Sequence, residues 1–135
     1  MPDPLTDADY ALLARFRYAL RAFTAFSEGQ AADCGLTPQQ HQALLAIRGA
    51  PAASATVGLV AERLILKPHS ASGLVDRLEV LGLVTREASP RDRRQALLVL
   101  TPRAHDLLAR LGRVHREEIL RIRPTLIALL DQMAP

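Results

Sequence analysis

Residues 83–101 read Leu-Val-Thr-Arg-Glu-Ala-Ser-Pro-Arg-Asp-Arg-Arg-Gln-Ala-Leu-Leu-Val-Leu-Thr, two short apolar runs around an arginine-loaded turn. The runs predict strands over 83–87 and 96–100, joined as a β-hairpin with Arg91, Arg93 and Arg94 at its tip. The stretch follows directly on a helix-turn-helix pattern that ends at Gly82. A basic hairpin hung beside such a helix is not required by enzyme chemistry. Reading a DNA duplex does require it.

The helix before the hairpin is expected over 68–81, with Pro68 in its first turn. At 100° per residue Ala71, Leu74, Val75, Leu78 and Leu81 share one face, which packs on the domain. The opposite side presents His69, Gly73 and Asp76, flanked by Ser70, Ser72 and Arg77. Small, hydrogen-bonding residues in the first exposed turns suit a helix whose start approaches base edges in a major groove. Gly73 costs about 0.5–1 kcal/mol against alanine inside a helix, so a close backbone approach would account for it. The arginine tip suits the minor groove, whose potential attracts guanidinium groups where it narrows. Asp92 within that cluster is expected to fix one guanidinium by an ion pair.

Upstream, Thr6 and Asp9 form a capping-box pattern. Leu12, Phe16, Leu20 and Phe23 then recur at helical spacing to about residue 30, and Gly35 ends the pattern. Thr37, Pro38 and Gln40 start a second helix running to about Arg48. Thr56 caps a short third helix to about Leu66, with Leu59, Val60 and Leu64 inward. Downstream, Thr101 and Pro102 begin a long helix through Leu107, Leu108, Leu111 and Val114, which Pro124 is expected to interrupt. The first and last helices exceed what a small core needs, so surplus apolar surface points to a second copy of the chain. The fold class is therefore mostly α with one β-hairpin.

At 135 residues the chain is one domain. Lys67 is the only lysine among 17 basic residues, so arginine count alone reflects composition. The distribution says more. Between Val57 and Arg103 eight basic residues meet five acidic ones, a net of +3, while the remainder balances to zero. The whole net charge thus falls on the segment expected to touch DNA. Cys34 stands alone and cannot form an intrachain disulfide. No apolar run reaches the roughly 18 residues of a membrane span and no targeting segment is recognised, so a cytoplasmic place and no membrane partner are expected. No glycine-rich phosphate loop, nucleophile elbow or metal-ligand cluster is found, so neither catalysis nor a metal or cofactor is expected.

With those residues in hand, the sequence resembles the MarR (multiple antibiotic resistance regulator) family. Asp92 and Arg94, then Leu100 and Thr101, match that family's Asp-x-Arg wing pattern followed by Leu-Thr. Gly73 through Glu79, with Leu81-Gly82-Leu83-Val84, looks like its recognition helix and the passage into the wing. Gly35-Leu36-Thr37-Pro38-Gln39-Gln40 resembles the start of its second helix. The resemblance implies one domain over 1–135: a winged helix-turn-helix over about 37–101 and N- and C-terminal dimerisation helices over about 1–34 and 102–135. It further implies that Asp92 orients Arg94 and that Arg94 enters the minor groove. Pro68, His69, Ser70, Ser72 and Gly73 would face the major groove, Arg77 and Arg86 would lie near phosphates, and Arg91 and Arg93 would add affinity.

The implied function is a homodimeric repressor of a pseudo-palindromic double-stranded DNA operator, released by a small-molecule effector held between the dimerisation helices and the winged region. Arg17, Tyr18 and His41 are candidates to border such a pocket. Two departures stand out: Ala104 replaces a frequent glycine, and Pro68-His69 is an unusual opening for the recognition helix. The competing readings are a winged-helix protein-interaction module or anti-regulator without DNA binding, and a thiol redox regulator acting through Cys34.

Overall fold

Threonine starts four of the helices. In α1 (Asp7–Asp33), α2 (Pro38–Arg48), α3 (Val57–Leu64) and α5 (Pro102–Gln132) the hydroxyls of Thr6, Thr37, Thr56 and Thr101 accept the backbone N–H three residues on, at 3.1–3.3 Å. Each satisfies a donor that the first turn leaves free. Asp9 and Gln40 close the expected capping boxes by accepting the Thr6 and Thr37 N–H groups. The Asp9 carboxyl is held below its ordinary range by the Thr6 N–H and hydroxyl. Between α3 and α5 lie α4 (Pro68–Val80) and a two-stranded antiparallel hairpin, β1 (Val84–Ala88) and β2 (Ala96–Leu100). The computed structural model describes residues 4–133, so residues 1–3 and 134–135 of the two expected dimerisation segments lie outside the described residues.

Helix ends follow from backbone handedness. Gly35 at φ +76° and Gly82 at φ +73° turn the chain at the ends of α1 and α4. There Leu36 N–H reaches the Ala31 carbonyl at 2.9 Å and Leu83 N–H the Leu78 carbonyl at 3.0 Å, the six-to-one bonds of a Schellman motif. The end of α3 has the same Leu66-to-Ala61 bond at 2.9 Å, but Ile65 occupies the left-handed position at φ 55° and ψ 50°. A β-branched residue there is strained by about 1–2 kcal/mol.

Several expected boundaries move. The first helix continues to Asp33, the third stops at Leu64, and the first strand starts one residue later, at Val84. The last helix passes straight through Pro124 instead of restarting there. Proline removes one N–H and crowds the carbonyl four residues back. Both Pro124 and Leu120 are exposed, so the orphaned carbonyl can be met by water.

The core lies under the winged unit. Ala43, Leu44 and Ile47 of α2, Val60 of α3, and Ala71, Leu74, Val75 and Leu78 of α4 pack with Leu83, Val84, Leu98 and Leu100 of the hairpin. Ala104, Leu108 and Leu111, in the first three turns of α5, close it. Each fully buried leucine contributes about 1.5–3 kcal/mol. Leu81, expected on the inward face, is instead 41% exposed, because the helix ends at Val80 and the chain turns. Strand register pairs Val84 with Leu100 and Arg86 with Leu98. Beyond the hairpin, Leu98 N–H donates to the Ala55 carbonyl at 2.7 Å. Past Leu111, α5 continues alongside α1, where Leu129 is buried apart from the main core.

Candidate nucleic-acid interface

The inward stripe of α4 fixes which side chains remain outside. His69, Ser70, Asp76 and Arg77 are exposed and Ser72 and Gly73 half-buried, all on the side away from the core, as the sequence reading expected. A Cβ placed on Gly73 would meet only Arg77 Nη1, at 3.7 Å, an ordinary contact. The domain's own packing therefore does not demand glycine there. Unlike the threonine-started helices, α4 begins at Lys67 without a side-chain cap, and Pro68 brings no N–H.

The wing tip is folded by its own short polar side chains. Buried Ser89 accepts the N–H groups of Arg91 and Asp92 at 3.2 and 3.3 Å. Asp92 Oδ1 accepts the Arg94 N–H at 2.9 Å, and the Asp92 carbonyl accepts the Gln95 N–H at 3.1 Å. The expected ion pair between Asp92 and a guanidinium is absent among the described residues. Asp92 instead shapes the turn through the Arg94 backbone, as aspartate does in turns. Arg91, Arg93 and Arg94 are all exposed and carry no ion pair among the described residues.

Arg86 behaves differently from those three. It projects from β1 onto α4, with Nη2 2.6 Å from Asp76 Oδ1 and Nε 3.6 Å from Glu79 Oε1. This pairing ties the wing to the middle and second half of α4. The sequence reading missed Ser89 and the Asp76–Arg86–Glu79 group. Helical spacing placed Asp76 outward, but only the strand register reveals its partner.

Where α1, α2 and α5 meet, a second polar cluster forms around one buried histidine. His41 is 3% exposed, and its ring lies 5.0 Å from that of His115. His115 Nδ1 is 2.7 Å from the Leu111 carbonyl and Nε2 is 2.8 Å from Ser27 Oγ. A carbonyl only accepts, so Nδ1 donates to it, and Nε2 pairs with the Ser27 hydroxyl. Phe23 and Phe26 meet the His115 ring edge-on, with centroids 6.1 and 5.5 Å away. Burial holds the His41 imidazole below its ordinary value, and the adjacent His115 ring adds to the effect.

Arg17, Tyr18 and His41 do not line one cavity. Tyr18 borders a cleft of about 640 Å³ between α1 and α5, together with Phe26 and Leu129. Arg17 faces a separate hollow along α1, and His41 is enclosed with His115. A further cleft of about 370 Å³ opens between α1, α2 and the end of α3, bordered by Phe23, Ser27, Gln42 and Arg63. Cys34 forms the C-cap of α1 and packs partly buried against the core. Among the described residues no group of three or more His, Cys, Asp or Glu could hold a metal ion, and no helix is long and apolar enough to cross a membrane.

The arrangement is shared with known proteins. A family model described as MarR family matches residues 35–95, the helix-turn-helix and most of the wing. No curated protein matches the sequence. Among solved structures, RV1404 from Mycobacterium tuberculosis is 27% identical, with 99% of this chain and 87% of that one covered and a TM-score of 0.69. The multiple antibiotic-resistance repressor from Listeria monocytogenes is 26% identical over 96% of this chain and 99% of its own, with a TM-score of 0.69. A MepR variant from Staphylococcus aureus, solved bound to an oligodeoxyribonucleotide, shares the fold at 18% identity, covering 97% and 100% of the two chains, with a TM-score of 0.69.

Proposed function

We propose, from the MarR-family character of the winged segment over residues 35–95, that this chain is a homodimeric, sequence-specific regulator of transcription. It represses by occupying a pseudo-palindromic double-stranded operator, acts in the cytoplasm and carries out no catalysis of its own. The observation that carries the reading is the pairing of a core-packed α4, bare of bulk along its outer first turns, with an internally folded tip that leaves Arg91, Arg93 and Arg94 without an ion pair among the described residues. Cations held outward in this way fit phosphate and groove contacts. Pro68, His69, Ser70, Ser72 and Gly73 would face the major groove with Arg77 near phosphates, and Arg94 would enter the minor groove, directed by Asp92 through the backbone. Arg86, in this reading, stands near the backbone of the duplex while bracing the wing.

One such module reads too few base pairs to discriminate among many sites, whereas two related by a two-fold axis read half-sites about 34 Å apart. Exposed Leu13 and Leu20 on α1 and Ile119, Ile127 and Leu130 on α5 supply apolar surface for that pairing. An effector in the cleft bordered by Phe23, Ser27, Gln42 and Arg63 would separate the helices only if it favoured one spacing over the other.

Selection of bound duplexes from random-sequence DNA tests the reading. The expected result is an inverted repeat whose affinity falls steeply with salt. Enrichment of no sequence, together with no shift at low salt, would instead support a protein-interaction module.

A further inference from the structure

We infer that Arg103 is a positioning residue for DNA recognition: from the first turn of α5 it grips the end of α4 and so sets the angle at which the recognition helix lies. The inference rests on the DNA-binding reading above. Three consecutive carbonyls at the exit of α4 are taken by donors from the first residues around α5. Arg103 Nη1 donates to Leu81 O at 3.0 Å, Thr101 Oγ1 to Gly82 O at 2.8 Å, and Thr101 N–H to Leu83 O at 3.1 Å. A guanidinium is well matched to a helix C-terminus, where unpaired carbonyls gather partial negative charge. The Thr101 hydroxyl also accepts from Ala104 and so belongs to the start of α5 itself. Arg103 is the one side chain of this group that reaches across with no duty in the α5 cap.

By polar bonds the two ends of α4 are held unequally. Its exit is bonded three times to Thr101 and Arg103 at the start of α5, and its middle is tied to β1 through Arg86. Its start has no side-chain cap, follows a strained and 92% exposed Ile65, and displays His69 and Ser70 to solvent. The 13 residues of α4 span about 20 Å, so a tilt of roughly 10° about the exit carries the first turn about 3 Å. That displacement equals a full hydrogen-bond length, enough to lose a base edge. Because Arg103 belongs to the helix that runs on alongside α1, a change in the direction of α5 would pass through it into α4.

The test uses the duplex that the wild-type protein selects from random-sequence DNA. Arg103→Ala should weaken binding roughly tenfold at each salt concentration, leaving the slope of log affinity against log salt as in wild type. Arg103→Lys keeps a cationic donor and should recover most of the loss. In the free proteins, amide hydrogen exchange over residues 78–83 should accelerate in Arg103→Ala, with the melting temperature nearly unchanged. Wild-type affinity in Arg103→Ala would overturn the inference, as would a slope shallower by about 0.9, the mark of a lost phosphate contact. If the wild-type protein selects no sequence, the DNA-binding reading fails and the positioning role falls with it. Unchanged exchange over 78–83 removes the grip itself, whatever the DNA result.

Discussion

The wing and the junction of α1, α2 and α5 are both polar devices, yet they are assembled in opposite ways. The tip is made from neighbours in sequence, Ser89 to Gln95, whose short bonds close the turn and leave three guanidinium groups in water. The junction draws Ser27, His41 and His115 from three helices and buries His41 beside half-buried Ser27 and His115, with Phe23 and Phe26 against the His115 ring. A charge left unpaired in solvent costs little and waits for a partner from outside. A polar ring without water must find its partners within the chain. The first region thus keeps its charges free in solvent, and the second joins the winged unit to the long helices.

The comparison breaks if substitutions in one region act like those in the other. The largest separation is expected at the tip. Arg94→Ala should lower affinity for the selected duplex by roughly ten- to a hundredfold, about 1.4–2.7 kcal/mol, while changing stability by less than about 0.5 kcal/mol. Binding titration and thermal melting measure the two, and a parallel loss in both would merge the regions. At the junction the pattern should reverse. His115→Ala deprives Ser27 of its partner and opens the wall beside His41, costing about 1–2 kcal/mol of stability. Denaturant titration reads that loss, and duplex affinity of the folded protein should stay close to wild type.

Acidification sharpens the contrast further. Burial lowers the His41 pKa in the folded protein below the ordinary value it has once unfolded. The unfolded chain therefore binds more protons as pH falls below about 6.5, and stability drops from there down to the lower folded-state value. That contribution is fully present above pH 6.5, and its slope cannot exceed about 1.4 kcal/mol per pH unit for one proton. Replacing His41 by Gln should flatten the profile in this window; an unaltered slope would place the titration elsewhere. The smallest effect is expected at Ile65. Its side chain touches almost nothing and its backbone is left-handed, so Ile65→Gly should stabilise the fold by about 0.5–1 kcal/mol. A loss instead would show that the exposed side chain is packed in a way the single chain does not contain.

How much of this was legible in the sequence depends on the same contrast. Thr6 with Asp9, Thr37 with Gln40, Pro68, Gly35 and Gly82 act on backbone groups within a few residues, and the elements they start or stop stand close to where local rules put them. The outward face of α4 and the tip arginines were readable for that reason too. Pro124 misled because the rule against proline in a helix weakens where the freed carbonyl is exposed. Asp92 misled because its short side chain has a nearer partner, the Arg94 N–H, than any guanidinium. The Ser27–His115 contact joins residues 88 apart, and Arg103 meets Leu81 across a hairpin. No periodicity announces either pairing, since each exists only once the helices are packed.

The bond from Leu98 N–H to the Ala55 carbonyl bears on how the protein behaves when crowded. A lone hairpin offers two unpaired rims to which a neighbouring chain could add a strand. The loop before α3 occupies part of the β2 rim. The β1 rim is left to Thr85, Arg86 and Glu87, whose exposed polar and charged side chains resist strand addition. A hairpin that carries its arginines outward is thereby guarded against sticking to its own kind, and should remain soluble at concentrations where an unguarded hairpin would begin to fibrillate.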